Sequence, residues 1–542
     1  MAGSLLNIGT SALTAAQGSL ATISHNIANA NTPGYSRQEA VLDTAGGQFT
    51  GAGFFGRGVD VTTVRRRYDE YLARAASTAI STSEADTARA DGLRALDALF
   101  ANSDNGLGAA TDNFFAAAGD LASRPADASA RQAFISRASQ LATRIDTLGR
   151  ELVAQQRDAD ERIAAAATTA NEQVDTIKRL NAQIAQSQAA GQVPNDLLDQ
   201  RDRAVQSLGA QLSVSVVPEK DGTISLFTTS GAPLLVGGQA AKLQAVPDPS
   251  DGSRVALNLL VGGQAQPVDM RTLGGGAIAG AVALRDQDLA AALNEVGRFA
   301  QVVADAFNRQ QAAGVDATGT PGAALFAAPA PVSIPDARNT STASVGASIA
   351  NASALQPSDY EVSWNGSAYS VTRLSDRSVS TFAALPATVD GLAFSASAAP
   401  AAGDRWVVRP FAAAATGIAT TSITAQQVAT ADPASTAPSA DNRNALAFLA
   451  LAKQPLVNGA TLNDAYATLV GNVGLRVQAA RDAADVSGAL RTEAEGRQQA
   501  VSGVNLDEEA ADLLRFQQAY QASAKIIQAS QSLFEALLAA TR

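Results

Sequence analysis

His25-Asn26-Ile27-Ala28-Asn29-Ala30-Asn31-Thr32-Pro33-Gly34-Tyr35 closes a segment, Met1 to Ser36, that contains no aspartate, glutamate, lysine or arginine. Upstream of it, small and apolar side chains recur at Leu6, Gly9, Leu13, Ala16, Leu20, Ile23 and Ile27. Steps of three and four lay one stripe along a helix, with Ser, Thr, Gln and Asn opposite. Without charged i,i+4 pairs such a helix is marginal alone in water, so its stability must come from packing. Pro33 lacks an N–H and biases Thr32 away from helical geometry, and Gly34 suits the positive-φ position of a type II turn. The helix is therefore expected to stop at Asn31 to Gly34.

The other end mirrors this one. Between Leu506 and Leu538 one seam runs Leu513, Gln517, Tyr520, Ala524, Ile527, Gln531, Phe534, Leu538. A second runs Phe516, Ala519, Ser523, Ile526, Ser530, Leu533, Leu537. Beyond the first turn charges are sparse, and two adjacent seams mean two sets of neighbours, for which coiled-coil pairing is the natural inference. Periodicity alone equally allows both ends to be core helices of one large domain.

Composition narrows the function classes. The chain has 542 residues, a formal charge of -11, 17% charged residues, no cysteine and a single histidine, His25. That length suits several domains. No run approaches the roughly 20 apolar residues of a spanning helix, so no membrane insertion is expected. The acidic balance argues against a nucleic-acid binder, whose affinity comes from Lys and Arg on phosphates. A Sec signal is not expected, because Leu5, Leu6 and Ile8 are soon broken by Gly9, Thr10 and Ser11 and no positive region precedes them. With no cysteine, disulfides, thiolate metal sites and cysteine nucleophiles are excluded.

Between the ends, Val59 to Val64 alternates like a strand, and helical patterning resumes at Tyr68. Ala128 to Ala189 reads as a very long helix, with an interruption near Ala164 to Ala167 as the expected weak point. Pro194-Asn195-Asp196 restarts a helix, with Asn195 or Asp196 available as N-cap. From Ser213 the period changes to two, with turns at Asp221-Gly222 and Asp251-Gly252, predicting a small antiparallel unit. A second unit is predicted around Asn365-Gly366, flanked by Tyr360, Val362, Trp364, Tyr369 and Val371; it holds both tryptophans. Linkers are expected at 316–331 and 431–441, rich in Pro, Ala, Ser and Thr.

The fold class is thus multidomain and mainly α. A discontinuous helical bundle with coiled-coil layers is formed by both chain ends, and antiparallel β-rich domains are inserted in the middle. The divisions are 1–35 with 505–542 as terminal helices; 36–212, 277–315 and 440–504 as a rod-like helical domain; 213–276 as a first β-rich insertion; and 330–420 as a second, outer one.

The segment from His25 to Tyr35 closely resembles the N-terminal signature of the bacterial flagellar axial proteins, the rod, hook and hook-associated families. The matched motif residues are Asn26, Ile27, Asn29, Asn31, Thr32, Pro33, Gly34 and Tyr35. Val504-Asn505-Leu506-Asp507-Glu508-Glu509, with Leu513, Gln517, Tyr520, Ala522, Ala524, Lys525 and Leu533, is similar to the C-terminal signature. Ala510 stands where rod and hook relatives often carry methionine. Tyr35-Ser36-Arg37-Gln38, Gly56-Arg57-Gly58-Val59, Pro194 to Asp202 and Asp316 to Phe326 resemble the hook-associated protein 1 family in particular. The resemblance implies a structural subunit of the hook-filament junction, secreted to the extracellular flagellum. Its implied partners are other copies of itself, hook protein, the adjacent junction protein, a flagellar export chaperone on the C-terminal region, and the type III export apparatus. The expected assembly seam comprises Leu6, Leu13, Leu20, Ile23, Ile27, Leu513, Phe516, Tyr520, Ile526, Ile527, Leu533, Phe534, Leu537 and Leu538. Hook protein itself, or a surface-binding or adhesive protein on an axial scaffold, is the alternative.

No catalytic, cofactor-binding or metal-binding residues are expected. Gly51-Ala52-Gly53-Phe54-Phe55-Gly56 matches G-x-G-x-x-G, but a dinucleotide site needs a helix to follow, and here a strand does. His25 has no second histidine or cysteine as partner and reads as a polar position near a helix end. Asp196, Asp199 and Asp202 suggest capping with Arg201 and Arg203 as ion-pair partners rather than a cation site. Arg65-Arg66-Arg67 reads as a solvated or interface patch.

Overall fold

The computed structural model describes residues 2–50, 53–100 and 106–540, without the side chains of residues 2, 3, 48, 50 and 537. Gly51 and Ala52 of the glycine pattern, and the Leu537 side chain of the expected seam, lie outside the described residues. Helices α1 (Ala2–Asn29), α2 (Glu70–Phe100), α3 (Leu107–Ser123), α4 (Ala128–Ala189) and α5 (Asn195–Gln211) precede the first β-rich unit. Helices α6 (Gly276–Ala283) and α7 (Ala290–Ala313) separate it from the second. Then come α8 (Ala412–Ala415), α9 (Arg443–Ala450), α10 (Leu462–Ser502) and α11 (Leu506–Ala540). An arm between α1 and α2 pairs Gln38–Thr44 with Val59–Arg66 antiparallel, and a smaller hairpin, Gln48–Thr50 with Gly53–Phe55, caps it.

The spine is α4, 62 residues without a break, roughly 93 Å at 1.5 Å per residue. The expected interruption at Ala164 to Ala167 is absent. Alanine is the best helix former, and Ala166, Ala167 and Ala170 are buried against the first β unit, so tertiary packing and propensity agree there. The helix starts cleanly because the Asp127 carboxylate accepts from the Ser129 N–H at 2.8 Å.

One helix serves two cores. The N-terminal half of α4 packs Phe134 into a ring cluster with Phe114, Phe307, Phe326 and Phe448. Its C-terminal half sets Ile163, Ala170, Val174 and Ile177 against Leu226, Leu235, Leu257 and Leu259 of the first β unit. That unit holds a four-stranded sheet, taken in chain order from Val214–Pro218 to Gln239–Ala240, and a three-stranded sheet centred on Asp251–Val261.

The outer unit has a five-stranded antiparallel sheet in the order Val332–Pro335, Arg405–Arg409, Tyr360–Trp364, Tyr369–Arg373, Val379–Phe382. A three-stranded sheet faces it, built from Val345–Ile349, Leu392–Ala396 and Ala387–Val389. The Asn365-Gly366 hairpin pairs Trp364 with Tyr369, and Gly366 takes φ +98°, which a side chain would oppose. Alternation buries Tyr360, Val362, Trp406 and Val408, and this core is continuous with the helical one through Leu355 and Phe411.

The segment 316–331 is not a linker. Val315 exchanges backbone hydrogen bonds with Ala431, the Asp316 carboxylate accepts from the N–H groups of Thr318 and Thr320, and Leu325 and Phe326 are buried among the rings. Proline and alanine there mark a chain turning sharply over a core, which composition does not separate from a solvated tether.

Candidate assembly interface

Helices α1 and α11 pair antiparallel, Gly9 lying against Ile527 and Asn26 against Glu509. A Cβ on Gly9 would stand 2.9 Å from Ile527 Cγ1, so the absence of a side chain lets the backbones close. The inward positions of α11 are Glu509, Leu513, Phe516, Tyr520, Ser523, Ile527 and Ser530, and those of α1 are Gly9, Ala12, Ala16, Ser19, Ile23 and Asn26. Both step alternately by three and four, drawing on both expected C-terminal seams. Leu13 and Leu20 are half-buried on the flank of α1. Leu6, Ile27, Ile526, Leu533, Phe534 and Leu538 are exposed within a single chain.

The signature loop ties this pair to the rest of the molecule. Helix α1 stops as expected: Tyr35 N–H donates to Thr32 O at 3.1 Å and Gly34 takes φ +69°, the geometry of a type II turn. A Cβ on Gly34 would also meet Arg203 Cγ at 2.5 Å. Asn26, buried, accepts from Gln38 N–H at 2.9 Å and Tyr35 O–H at 2.8 Å through Oδ1. Its Nδ2 donates to Gln38 O at 2.8 Å and Glu509 Oε2 at 3.0 Å. Asn29 Nδ2 donates to His25 O at 3.0 Å and its Oδ1 accepts from Thr32 at 3.2 Å, while Pro33 O accepts from Arg203 at 2.6 Å. Asn31 is exposed.

Charge is concentrated where the terminal pair meets the arm and α5. Arg37 donates to Glu509 at 2.5 Å, Glu508 at 2.7 Å and Asp512 at 3.3 Å. Burial works against the Arg37 charge, but these carboxylates outweigh it and raise its pKa. Burial, together with Asp196, Asp199 and Glu509, pushes the Tyr35 phenol well above its ordinary value. Ser36 donates from N–H and Oγ to Asp199 at 2.9 and 2.8 Å.

Here two expectations need correcting. Neither Asn195 nor Asp196 caps α5 through its side chain; Asn195 instead donates to Val64 O at 2.9 Å, and Asp196 accepts from Gln38 at 2.9 Å. The partner of the aspartates is Arg66, which donates to Asp199 at 2.8 Å and Asp202 at 2.6 Å and stacks over Tyr68 at 4.0 Å. Arg201 turns away to Gly222 O and Arg203 to Pro33 O. Arg66 is therefore a half-buried clamp rather than a solvated patch. Burial raises the Asp202 pKa against the opposing pull of Arg66. Glu509, fully buried, was named in the C-terminal signature but not set apart from Glu508 beside it; its helical phase, in register with Leu513 and Phe516, is the local signal that separates the two.

Among the described residues no group of His, Asp and Glu is placed to hold a metal ion, and no described helix is long and apolar enough to cross a membrane. The arrangement offers a helical pair with a charged, hydrogen-bonded root and a few large apolar side chains, among them Leu514, Ile526 and Leu533, exposed between polar ones. Residues 93–326 match the flagellar hook-associated protein FlgK helical domain, and 334–410 the flagellar hook-associated protein 1 D2-like domain. Residues 6–35 match the flagella basal body rod protein model, and 497–540 the flagellar basal body rod FlgEFG protein C-terminal model. The chain is 33% identical to flagellar hook-associated protein 1 of Escherichia coli (strain K12), over 99% of both chains. It is 33% identical to the Salmonella typhimurium protein of that name, again over 99% of both. Its fold is similar to that of the flagellar hook junction protein FlgK from Burkholderia pseudomallei, with a TM-score of 0.75 at 24% identity, covering 79% of this chain and all of that one. The chain belongs to the flagellar hook-associated protein 1 family.

Proposed function

We propose that the chain is a structural subunit of the bacterial flagellum at the hook-filament junction, assembling with copies of itself through its terminal helices and joining hook to filament without catalysis or cofactor. The observation that carries this is the set of large apolar side chains that the α1 and α11 pair leaves open in a single chain: Leu514, Ile526 and Leu533 lie off the inward stripe of α11, Leu5 and Phe534, in phase with the inward positions, are uncovered at the far end of the pair, and Leu6, Ile27 and Leu506 are exposed as well. Large apolar side chains left open on two neighbouring helices make an interaction surface rather than scattered exposure, and in this reading neighbouring chains pack against them to complete the coiled-coil layers. The partners are hook protein and the adjacent junction protein. A flagellar export chaperone holds the C-terminal region, and the chain leaves the cell through the type III export apparatus. In this reading 1–35 and 505–542 form the tube; 36–212, 277–315 and 440–504 set subunit spacing; and 213–276 and 330–420 face outward.

The test uses exposed positions, so that the fold of the single chain is left intact. Phe534→Asp and Leu533→Asp chains are expected to keep wild-type circular dichroism while their incorporation into isolated junctions falls at least tenfold. Unchanged incorporation would remove the terminal helices from the assembly mechanism.

A further inference from the structure

The first β-rich unit and the outer unit meet without merging their cores. Buried apolar residues of the first, Leu226, Leu257 and Leu259 among them, cluster with α5, α6 and the C-terminal half of α4, whereas Tyr360, Val362 and Trp406 of the outer unit belong to a separate cluster. What joins the two units is charge. Arg409 of the outer unit stands 2.9 Å from Asp251 of the first and 3.6 Å from Asp359 of its own. Arg254 of the first unit reaches Asp251 at 3.4 Å, Asp359 at 3.8 Å and Asp286, from the π-helical turn Leu284–Leu289, at 3.5 Å. Beside these ion pairs, Ala337 N–H donates to Pro249 O at 2.8 Å.

This clasp is buried but poorly aligned. Asp251 and Asp359 are 4% and 7% exposed. Even so, Asp251 Oδ2, Asp359 Oδ1, Arg254 Nε and Nη2, and Arg409 Nε find no hydrogen-bond partner among the described residues. Apolar side chains in place of buried ion pairs are often neutral or stabilising, and a half-satisfied network is worse than an apolar seam. A joint of this composition is suited to opening rather than to permanent closure.

The outer unit is otherwise attached to the helices over a narrow base. Its two chain crossings meet α7 one turn apart: Phe411 lies over Gly297, where a side chain would collide with the Phe411 carbonyl, and Gln301 donates to Pro329 O at 2.7 Å. Leu355, buried, adds a contact there, its carbonyl accepting from Arg298 at 3.4 Å. Farther along α7 a groove of about 300 Å³ has Val302, Ala306 and Arg309 of the helix and Ala352 and Ser353 of the outer unit in its lining, so the packing loosens away from the base.

We propose that the outer unit turns about this base on α7 and that the Arg254 and Arg409 clasp is the latch that holds it against the first β-rich unit. Parts of one chain move relative to one another unless a large apolar interface prevents it, and here the interface is polar. Opening separates Arg409 from Asp251, Arg254 from Asp359 and Ala337 from Pro249 while leaving both cores intact. Arg254 then keeps Asp251 and Asp286, and Arg409 keeps Asp359, so neither guanidinium is stranded in the open form. The inference concerns the single chain and does not rest on the assembly reading.

Because the chain lacks cysteine, spin labels are placed at Val236→Cys on the first unit and Val379→Cys on the outer one, both exposed strand positions. Pulsed electron paramagnetic resonance on the full chain is expected to show one dominant distance. Adding Arg409→Met, with circular dichroism unchanged, is expected to raise the population of longer distances several-fold. Asp251→Asn, nearly isosteric, removes the same cross-unit pair and should act in the same direction. An unchanged distribution in a folded variant of either kind overturns the latch. Arg409→Lys, which keeps the charge, is expected to restore most of the short distance; opening equal to that of Arg409→Met would overturn charge as what holds the unit closed.

Discussion

Asn26 shows how much a single side chain can organise. Its two amide atoms make four hydrogen bonds, two of them to the backbone of Gln38, one to Tyr35 and one to Glu509. Asn26→Ala would strand the Gln38 groups and the Glu509 carboxylate, so a loss of about 2–3 kcal/mol is expected in urea unfolding. Asn26→Asp should be worse, because it sets a second carboxylate against Glu509. Arg66 presents the same logic with charge. Arg66→Met leaves Asp199 and Asp202 facing each other with their cation gone, and removal of one member of a buried pair costs about 3–5 kcal/mol. Restoration of most of that stability by Asp202→Asn in the Arg66→Met background would confirm the clamp; no rescue would refute it.

The helices differ in how strongly they are held. Helix α4 buries Phe134, Leu141, Ile145, Leu148 and Leu152 in one core and Ile163, Val174 and Ile177 in another. Leu152→Ala, fully buried, is expected to cost about 2–5 kcal/mol. In the terminal pair the fully buried positions are mostly small, Gly9, Ala16, Ser19, Ser523 and Ser530, and the larger inward side chains of α11, Leu513, Phe516, Tyr520 and Ile527, are only half-buried. Hydrogen exchange on the free chain should therefore show the amides of 4–29 and 506–538 exchanging well ahead of those in α4. Equal protection in a verified monomer would mean that pairing within one chain suffices for their stability. The π-helical turn Leu284–Leu289 is a different device. It presents Arg285 to Asp160 at 2.5 Å and Asp288 to Arg89 and Arg476 at 2.8 and 3.1 Å, pinning α2, α4 and α10 at one crossing.

Across the whole molecule, the two β-rich units meet at a charged joint. Asp251 of the first faces Arg409 of the outer unit at 2.9 Å and Arg254 at 3.4 Å, while the Pro249 carbonyl accepts from Ala337 N–H at 2.8 Å. Burial penalises the Asp251 charge, but Arg409, Ser253 and Arg254 outweigh it and hold the carboxyl below its ordinary range. A carboxylate whose pKa is depressed in the folded state adds stability above its unfolded value, about 3.9, and loses it as pH falls toward the folded one. Asp336 and Asp404 of the outer unit are depressed as well, Asp336 mainly by Arg338 and Asp404 by Ser341 and the Thr340 N–H. Calorimetry should thus show the outer unit melting at lower temperature at pH 3 than at pH 6. Asp251→Asn should remove part of that difference.

Periodicity and turn chemistry were legible along the chain because they are local. The stop at Pro33-Gly34 and the Asn365-Gly366 hairpin follow from turn residues, and α4, apart from the expected break at Ala164 to Ala167, and the two terminal helices follow from which residues sit three or four apart. The signature around Asn26 to Tyr35 falls where the terminal helices meet the arm. Partners far apart in sequence were not legible. Asp199 and Asp202 found Arg66 from the arm instead of Arg201 or Arg203 beside them, since Arg201, two residues from Asp199, points to Gly222 O and Arg203, though one turn from Asp199, is taken by Pro33 O. Glu509 was buried by Asn26 and Arg37, which approach from the opposite end of the chain. Which of the apolar residues on α11 face inward was likewise set by docking against α1: two candidate seams satisfy the same helical period, and close packing at Gly9 selects one inward set while leaving Leu533 outside.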